Sequence, residues 1–91
     1  MDISKNEDRN RYEARVDGKL VGFAEYIPMT GLSIFSHTEV FPEYEGQGVG
    51  SALARYALDD IRTEGNRQVQ PLCPFIKTWI DRHPKYQHLV R

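Results

Sequence analysis

Glu45-Gly46-Gln47-Gly48-Val49-Gly50-Ser51 joins a strand-like run ending at Phe41-Pro42 to a strongly helical run that begins near Val49. Glycines at 46, 48 and 50 remove the Cβ atoms that would keep a ligand away from the backbone. A helix starting here also points unpaired N–H groups and a partial positive charge into the same space. Such a loop can cradle a diphosphate, and its bland alternative is a tight turn with no ligand.

Outward from the loop the pattern changes period. Leu32 to Phe41 alternates as a strand, with Ile34, Ser36, Thr38 and Val40 on one side and Phe35, His37, Glu39 and Phe41 on the other. From Val49 to Glu64 the apolar stripe Val49, Ala52, Leu53, Tyr56, Ala57 and Ile61 is helical, and Gly65 ends it. Arg67 to Leu72 reads as a short strand. Strand, glycine loop, helix and strand within about 40 residues call for a parallel crossover, with the loop at a strand's C-terminal end. Upstream, Arg11 to Val16 and Lys19 to Ile27 flank Asp17-Gly18, a hairpin turn signal, so these runs pair antiparallel. Downstream, Cys73-Pro74 opens a second helix to Asp81 or Arg82, which His83-Pro84 stops. The expected architecture is α+β, a mixed, mostly antiparallel twisted sheet with two helices in one domain spanning residues 1–91, the first ten residues frayed.

Composition narrows the function classes. With 91 residues, 12 basic and 13 acidic side chains and a formal net charge of −1, the chain has no electrostatic footprint for nucleic acid. It carries no apolar run long enough for a membrane span, and its polar opening lacks the core of a signal peptide, so a cytoplasmic location is expected. The single Cys73 excludes an internal disulfide and fits a reducing compartment. A monomer or weak homodimer is expected, because so small a core gains from a ligand or a second subunit. A Walker A loop would need lysine where Gly48-Val49-Gly50-Ser51 has none, and a dinucleotide fold would need Gly or Ala at Ser51 and more strands.

Three residues carry candidate chemistry. Cys73 stands at a helix start, where the dipole favours thiolate; it reads either as a small buried hydrophobe or as a thiol that accepts an acyl group or donates a proton. His37 and Glu39 share a strand face about 7 Å apart and can handle one proton between them, or else form an ordinary surface pair. Cys73, His83 and His88 match no metal-site spacing, so no metal is expected; His83 instead suits a helix end. Phe75, Trp79 and Tyr86 read as core aromatics.

Four short motifs in one order, His37-Thr38-Glu39-Val40, Glu45 to Gly50, Pro71-Leu72-Cys73-Pro74-Phe75 and His83-Pro84-Lys85-Tyr86, resemble the small single-domain branch of the acetyl-CoA-dependent N-acetyltransferase superfamily (GNAT), from residue 11 to about 90. The resemblance implies acetyl-CoA as cosubstrate and an amine as acceptor. It implies that Gly46, Gln47, Gly48, Val49, Gly50 and Ser51 hold the pyrophosphate, and that the strand end at Val40 and Phe41 pairs with the pantetheine arm, in a cleft where strands 32–41 and 67–72 splay. His37, Glu39 and Cys73 are then the catalytic candidates, and Lys77, Arg82 and Lys85 are either contacts of the 3′-phosphate or ordinary solvated charges. Two departures stand out. Glu45 occupies a loop position where the superfamily usually has Gln or Arg, and Cys73 and Trp79 stand where it has Asn and a proton-donating Tyr. A CoA-binding module without transferase activity and an interaction domain are the rival readings.

Overall fold

The computed structural model describes residues 1–91. In chain order it forms β1 (Asp2–Asn6), β2 (Arg11–Val16), β3 (Lys19–Met29), β4 (Leu32–Val40), α1 (Val49–Glu64), β5 (Gln68–Pro71) and α2 (Pro74–Asp81), with 3-10 turns at Pro42–Tyr44 and Pro84–Leu89. The five strands lie in sequence order, all neighbours antiparallel except β4 and β5, which α1 connects as a parallel crossover. Asp17 and Gly18 both take positive φ, and Val16 pairs with Lys19 across them, as the two-residue hairpin requires.

The amino terminus differs from the frayed segment expected. Asp2–Asn6 is an edge strand in register with β2, from Asp2 opposite Arg15 to Asn6 opposite Arg11. An edge strand needs only one apolar contact face, here Ile3 against the core, so the polar sequence does not advertise it.

A bulge in β4 sets the rest of the architecture. Glu25 pairs with His37 but Tyr26 with Phe35, leaving Ser36 without a partner. The strict alternation expected for 32–41 therefore breaks at Ser36, because a bulge reverses which parity faces which side. Phe35, paired with Tyr26, and Thr38, paired with the buried Ala24, face the helices; His37 and Glu39 face the other way. Both helices cover one side of the sheet, around a single core that includes Tyr12, Phe35, Leu53, Ile61, Val69 and Ile76. Each such fully buried side chain contributes roughly 1.5–3 kcal/mol. The opposite face, carrying Glu13, Phe23, His37 and Glu39, has no helix over it. No helix is long and apolar enough to cross a membrane.

Candidate functional site

At the C-terminal end of β4 the chain turns through Pro42–Tyr44, closed by Tyr44 N–H to Phe41 O at 2.8 Å, and enters the glycine loop. Gly46 and Gly48 take φ of +77° and +81°, and a Cβ on either would meet nothing within 4 Å. These two glycines therefore answer to a left-handed backbone beside open space. Gly50 has a different reason. A Cβ there would come within 2.8 Å of the Phe75 ring, so its absence lets α2 close onto the first turn of α1.

The loop leaves six consecutive backbone N–H groups, Gly46 to Ser51, with no acceptor in the protein; the first hydrogen bond of α1 is Ala52 N–H to Gly48 O at 3.0 Å. Of these six residues all but Gln47 line a cleft of about 300 Å³, together with Val40, Tyr44, Glu45 and Phe75. No lysine or arginine lines it, so its positive character comes from the N–H groups and the α1 dipole. Glu45 sits exposed on the rim.

Beside this cleft the sheet opens. β5 pairs with β4 only from Leu32 opposite Gln68 to Phe35 opposite Pro71. Beyond that, residues 37–40 of β4 pair with β3 alone, and the fork is closed at its base by Cys73 N–H to Phe35 O at 2.8 Å. An unpaired strand edge in a wedge is a template for an extended ligand bearing amides.

Most of the residues expected to form the cradle meet here, but not all. Val40, Gly46, Gly48, Val49, Gly50 and Ser51 line the cleft. Gln47 does not line it, and its side chain turns back to Glu43 O at 3.4 Å. Ser51 Oγ accepts from Trp79 Nε1–H at 2.9 Å, which leaves its O–H free to donate beside its backbone N–H. Phe41 is not in the cleft: its ring meets Phe23, 6.4 Å away, and its N–H goes to Val21 O. Tyr44 and Phe75 are lining residues that the sequence reading missed. Phe75 is 44% exposed, a correction to its expected place in the core, whereas Trp79 and Tyr86 are buried as expected. The signal for Phe75 was its position opposite a glycine, which no periodicity reveals.

The three catalytic candidates do not form one cluster. His37 Nε2 and Glu39 Oε1 are 3.1 Å apart, both about half exposed, on the open face. Cys73 is 4% exposed, belongs to the core, and its S–H donates to Thr38 Oγ1 at 3.5 Å on the helix side. Of the two readings of Cys73, its place is that of the small buried group, at the fork's base, where the Ser36 bulge turns Thr38 toward it and His37 away. His83 caps α2 as expected, its Nδ1–H donating to Trp79 O at 2.6 Å. No three His, Cys, Asp or Glu side chains gather as a metal site would need.

Residues 11–89 match the model of a GCN5-related N-acetyl-transferase family. Protein NATD1 of Mus musculus is 27% identical over 92 residues, covering 98% of this chain and 82% of its own. Among solved structures, a GCN5-like protein of Staphylococcus aureus superposes with a TM-score of 0.73 at 24% identity, over 99% of this chain and 87% of that one. The ribosomal-protein-S18-alanine N-acetyltransferase of Escherichia coli gives 0.69 at 18% identity, over 86% of this chain and 53% of its own. The PaiA N-acetyltransferase of Thermoplasma acidophilum, solved in complex with coenzyme A, gives 0.61 at 18%, over 82% and 48%. With the glycine cradle at the end of β4, the forked sheet and a family match spanning most of its length, the chain belongs to the GCN5-related N-acetyltransferase family.

Proposed function

We propose that this protein binds acetyl-CoA in the cleft beside the fork and transfers the acetyl group to an amine. The observation that carries the reading is the run of six N–H groups from Gly46 to Ser51 with no acceptor in the protein, beside a cleft that reaches Val40 at the unpaired edge of β4. A pyrophosphate satisfies such donors, and the pantetheine amides suit residues 36–40. That the PaiA N-acetyltransferase, of similar fold, was solved in complex with coenzyme A supports coenzyme A as the ligand class.

The acceptor approaches from the open face, where His37 accepts a proton from its ammonium and Glu39 steadies the imidazole. The free amine attacks the thioester carbonyl carbon; a C–N bond forms and the C–S bond breaks. The second proton lost by nitrogen ends on the sulfur of coenzyme A. We assign that delivery to the Cys73 S–H and Thr38 O–H pair at the base of the fork, on the side of the sheet opposite His37. This division of labour makes Cys73 a proton donor, since a buried thiol facing away from the acceptor is poorly set to carry an acetyl group across.

Thermal unfolding with and without acetyl-CoA tests the binding. A selective ligand stabilises by about 2.7 kcal/mol at a hundredfold excess over Kd, so Tm rises. Gly48→Asn keeps a residue tolerated at positive φ but adds a side chain in the cleft, and it should abolish that rise. No rise for the native sequence at millimolar acetyl-CoA excludes the reading. Mass spectrometry of polyamines, aminoglycosides and lysine peptides incubated with acetyl-CoA then separates transferase from binding module. His37→Gln and Cys73→Ser should each lower turnover, by about 10²-fold if proton transfer is their role.

A further inference from the structure

Glu25 on β3 is a carboxylate for which the acetyl transfer has no use so far. It lies on the open face directly across from His37 and is partly buried there. Its other cross-strand neighbour is Arg11, yet the two form no ion pair, because the Arg11 guanidinium turns to Glu13 at 2.8 Å and lies 4.6 Å from the Phe23 ring centre. Arg15, the second arginine of this face, is taken by Glu13 as well, at 3.1 Å. Glu39 is engaged by His37 itself. Glu25 is thus left with a charge and no counter-ion, one strand away from the imidazole that meets the acceptor. The rows on either side of it are apolar. On the side of Glu39 stands Phe23, its ring 6.1 Å from that of His37; on the other stands the cross-strand pair Ile27 and Ile34, with Ile27 47% exposed.

We propose that the acceptor is a short aliphatic diamine: one ammonium gives its proton to His37, the other stays charged on Glu25, and the alkyl chain lies between Phe23 and the Ile27–Ile34 pair. The inference rests on the acetyl-CoA reading above and adds to it the class of acceptor, with Glu25 as the residue that selects it. Adjacent strands are about 4.8 Å apart, so a chain of a few methylenes crosses from His37 to Glu25. A carboxylate partly withdrawn from water is costly without a partner, and a second ammonium turns that cost into a charge-assisted contact. A monoamine satisfies His37 and leaves Glu25 as it was. An acceptor with a carboxylate beside its amine meets Glu25 and Glu39 as like charges, with both arginines of the face already held by Glu13. The apolar rows suit methylenes and offer no hydrogen bond to a polyhydroxylated amine.

Calorimetric titration of the protein, saturated with coenzyme A, against putrescine and against butylamine tests this, since the two differ only by the second ammonium. The native protein should bind putrescine about tenfold more tightly, the size of one charge-assisted contact, and added salt should narrow the gap. Glu25→Gln should remove that preference and keep the rise in Tm with acetyl-CoA, and Glu25→Asp, which restores the charge, should recover part of the preference. Equal affinity of the native protein for the two amines overturns the proposal, as does a preference that survives in Glu25→Gln. Binding of neither amine by a protein whose Tm acetyl-CoA still raises overturns this inference alone. No rise in Tm with acetyl-CoA overturns the acetyl-CoA reading itself, and this inference with it.

Discussion

Glu13 is the residue with the most at stake on the open face. It is 4% exposed on a side of the sheet that no helix covers, because Arg11, Arg15 and Asn6 fold over it, donating to its carboxylate at 2.8, 3.1 and 3.2 Å. Burial alone raises its pKa, but the hydrogen bonds from Arg11, Arg15 and Asn6 outweigh it and hold the group below the usual glutamate value. With the folded pKa depressed, the unfolded chain binds more protons in acid. The stabilising contribution is therefore complete above the unfolded value of about 4.3 and is lost as pH falls through the lower folded value. Glu13→Gln should flatten that acid limb: urea midpoints taken between pH 7 and pH 3 should fall less steeply for the variant than for the native protein. Equal slopes would mean that the carboxylate is no more stabilised folded than unfolded. Nothing in Arg11-Tyr12-Glu13-Ala14-Arg15 marks Glu13 as buried, since alternation assigns it correctly to the outer face and burial there comes from neighbouring side chains.

At the scale of elements, the legible parts were those with local causes. The Asp17-Gly18 hairpin, the α1 span ending at Gly65, the proline start of α2 and the glycine loop all stand where turn chemistry and helical period put them. What was illegible depends on partners: β1, which exists by pairing with β2, and the Ser36 bulge, which is a property of the β3–β4 register. The bulge matters most for the site, since it separates His37 and Glu39 from Cys73. Gly22 was equally silent. A Cβ there would meet Glu39 O at 2.8 Å and Val49 Cγ1 at 3.1 Å, so this glycine lets the first turn of α1, and with it the cradle, seat against the sheet. The closest obstacle is backbone and cannot swing aside. Gly22→Ala should therefore destabilise by about 1–3 kcal/mol in urea unfolding, the usual cost of overpacking. It should also weaken acetyl-CoA binding, although residue 22 does not line the cleft. A variant of native stability would mean that β3 and α1 separate without cost.

Across the whole molecule, α1 is held from both flanks by consecutive acids. Tyr12 on β2 donates to Asp60 at 2.7 Å, and Lys5 on β1 approaches the same carboxylate at 3.4 Å; Tyr86, in the C-terminal turn, donates to Asp59 at 2.7 Å. The C-terminal turn is itself tied to the far side of the sheet through Arg91 N–H to Val69 O at 3.0 Å. The chain's two ends thus grip one helix from opposite edges of the sheet. Burial first, and then the bonded carboxylate, raise the pKa of both phenols, so both remain donors at neutral pH. Tyr12→Phe and Tyr86→Phe each remove one hydroxyl bonded to a charged acceptor without opening a cavity. Each should cost about 1.5 kcal/mol in urea unfolding. The two acids are neighbours in sequence, but adjacent residues on a helix point about 100° apart, and the tyrosines share no partner. The double variant should accordingly lose the sum of the two within about 0.5 kcal/mol. A loss well short of that sum would show that releasing one flank already frees the other, and that α1, carrying the cradle at its N-terminus, is held as one cooperative unit by both ends of the chain.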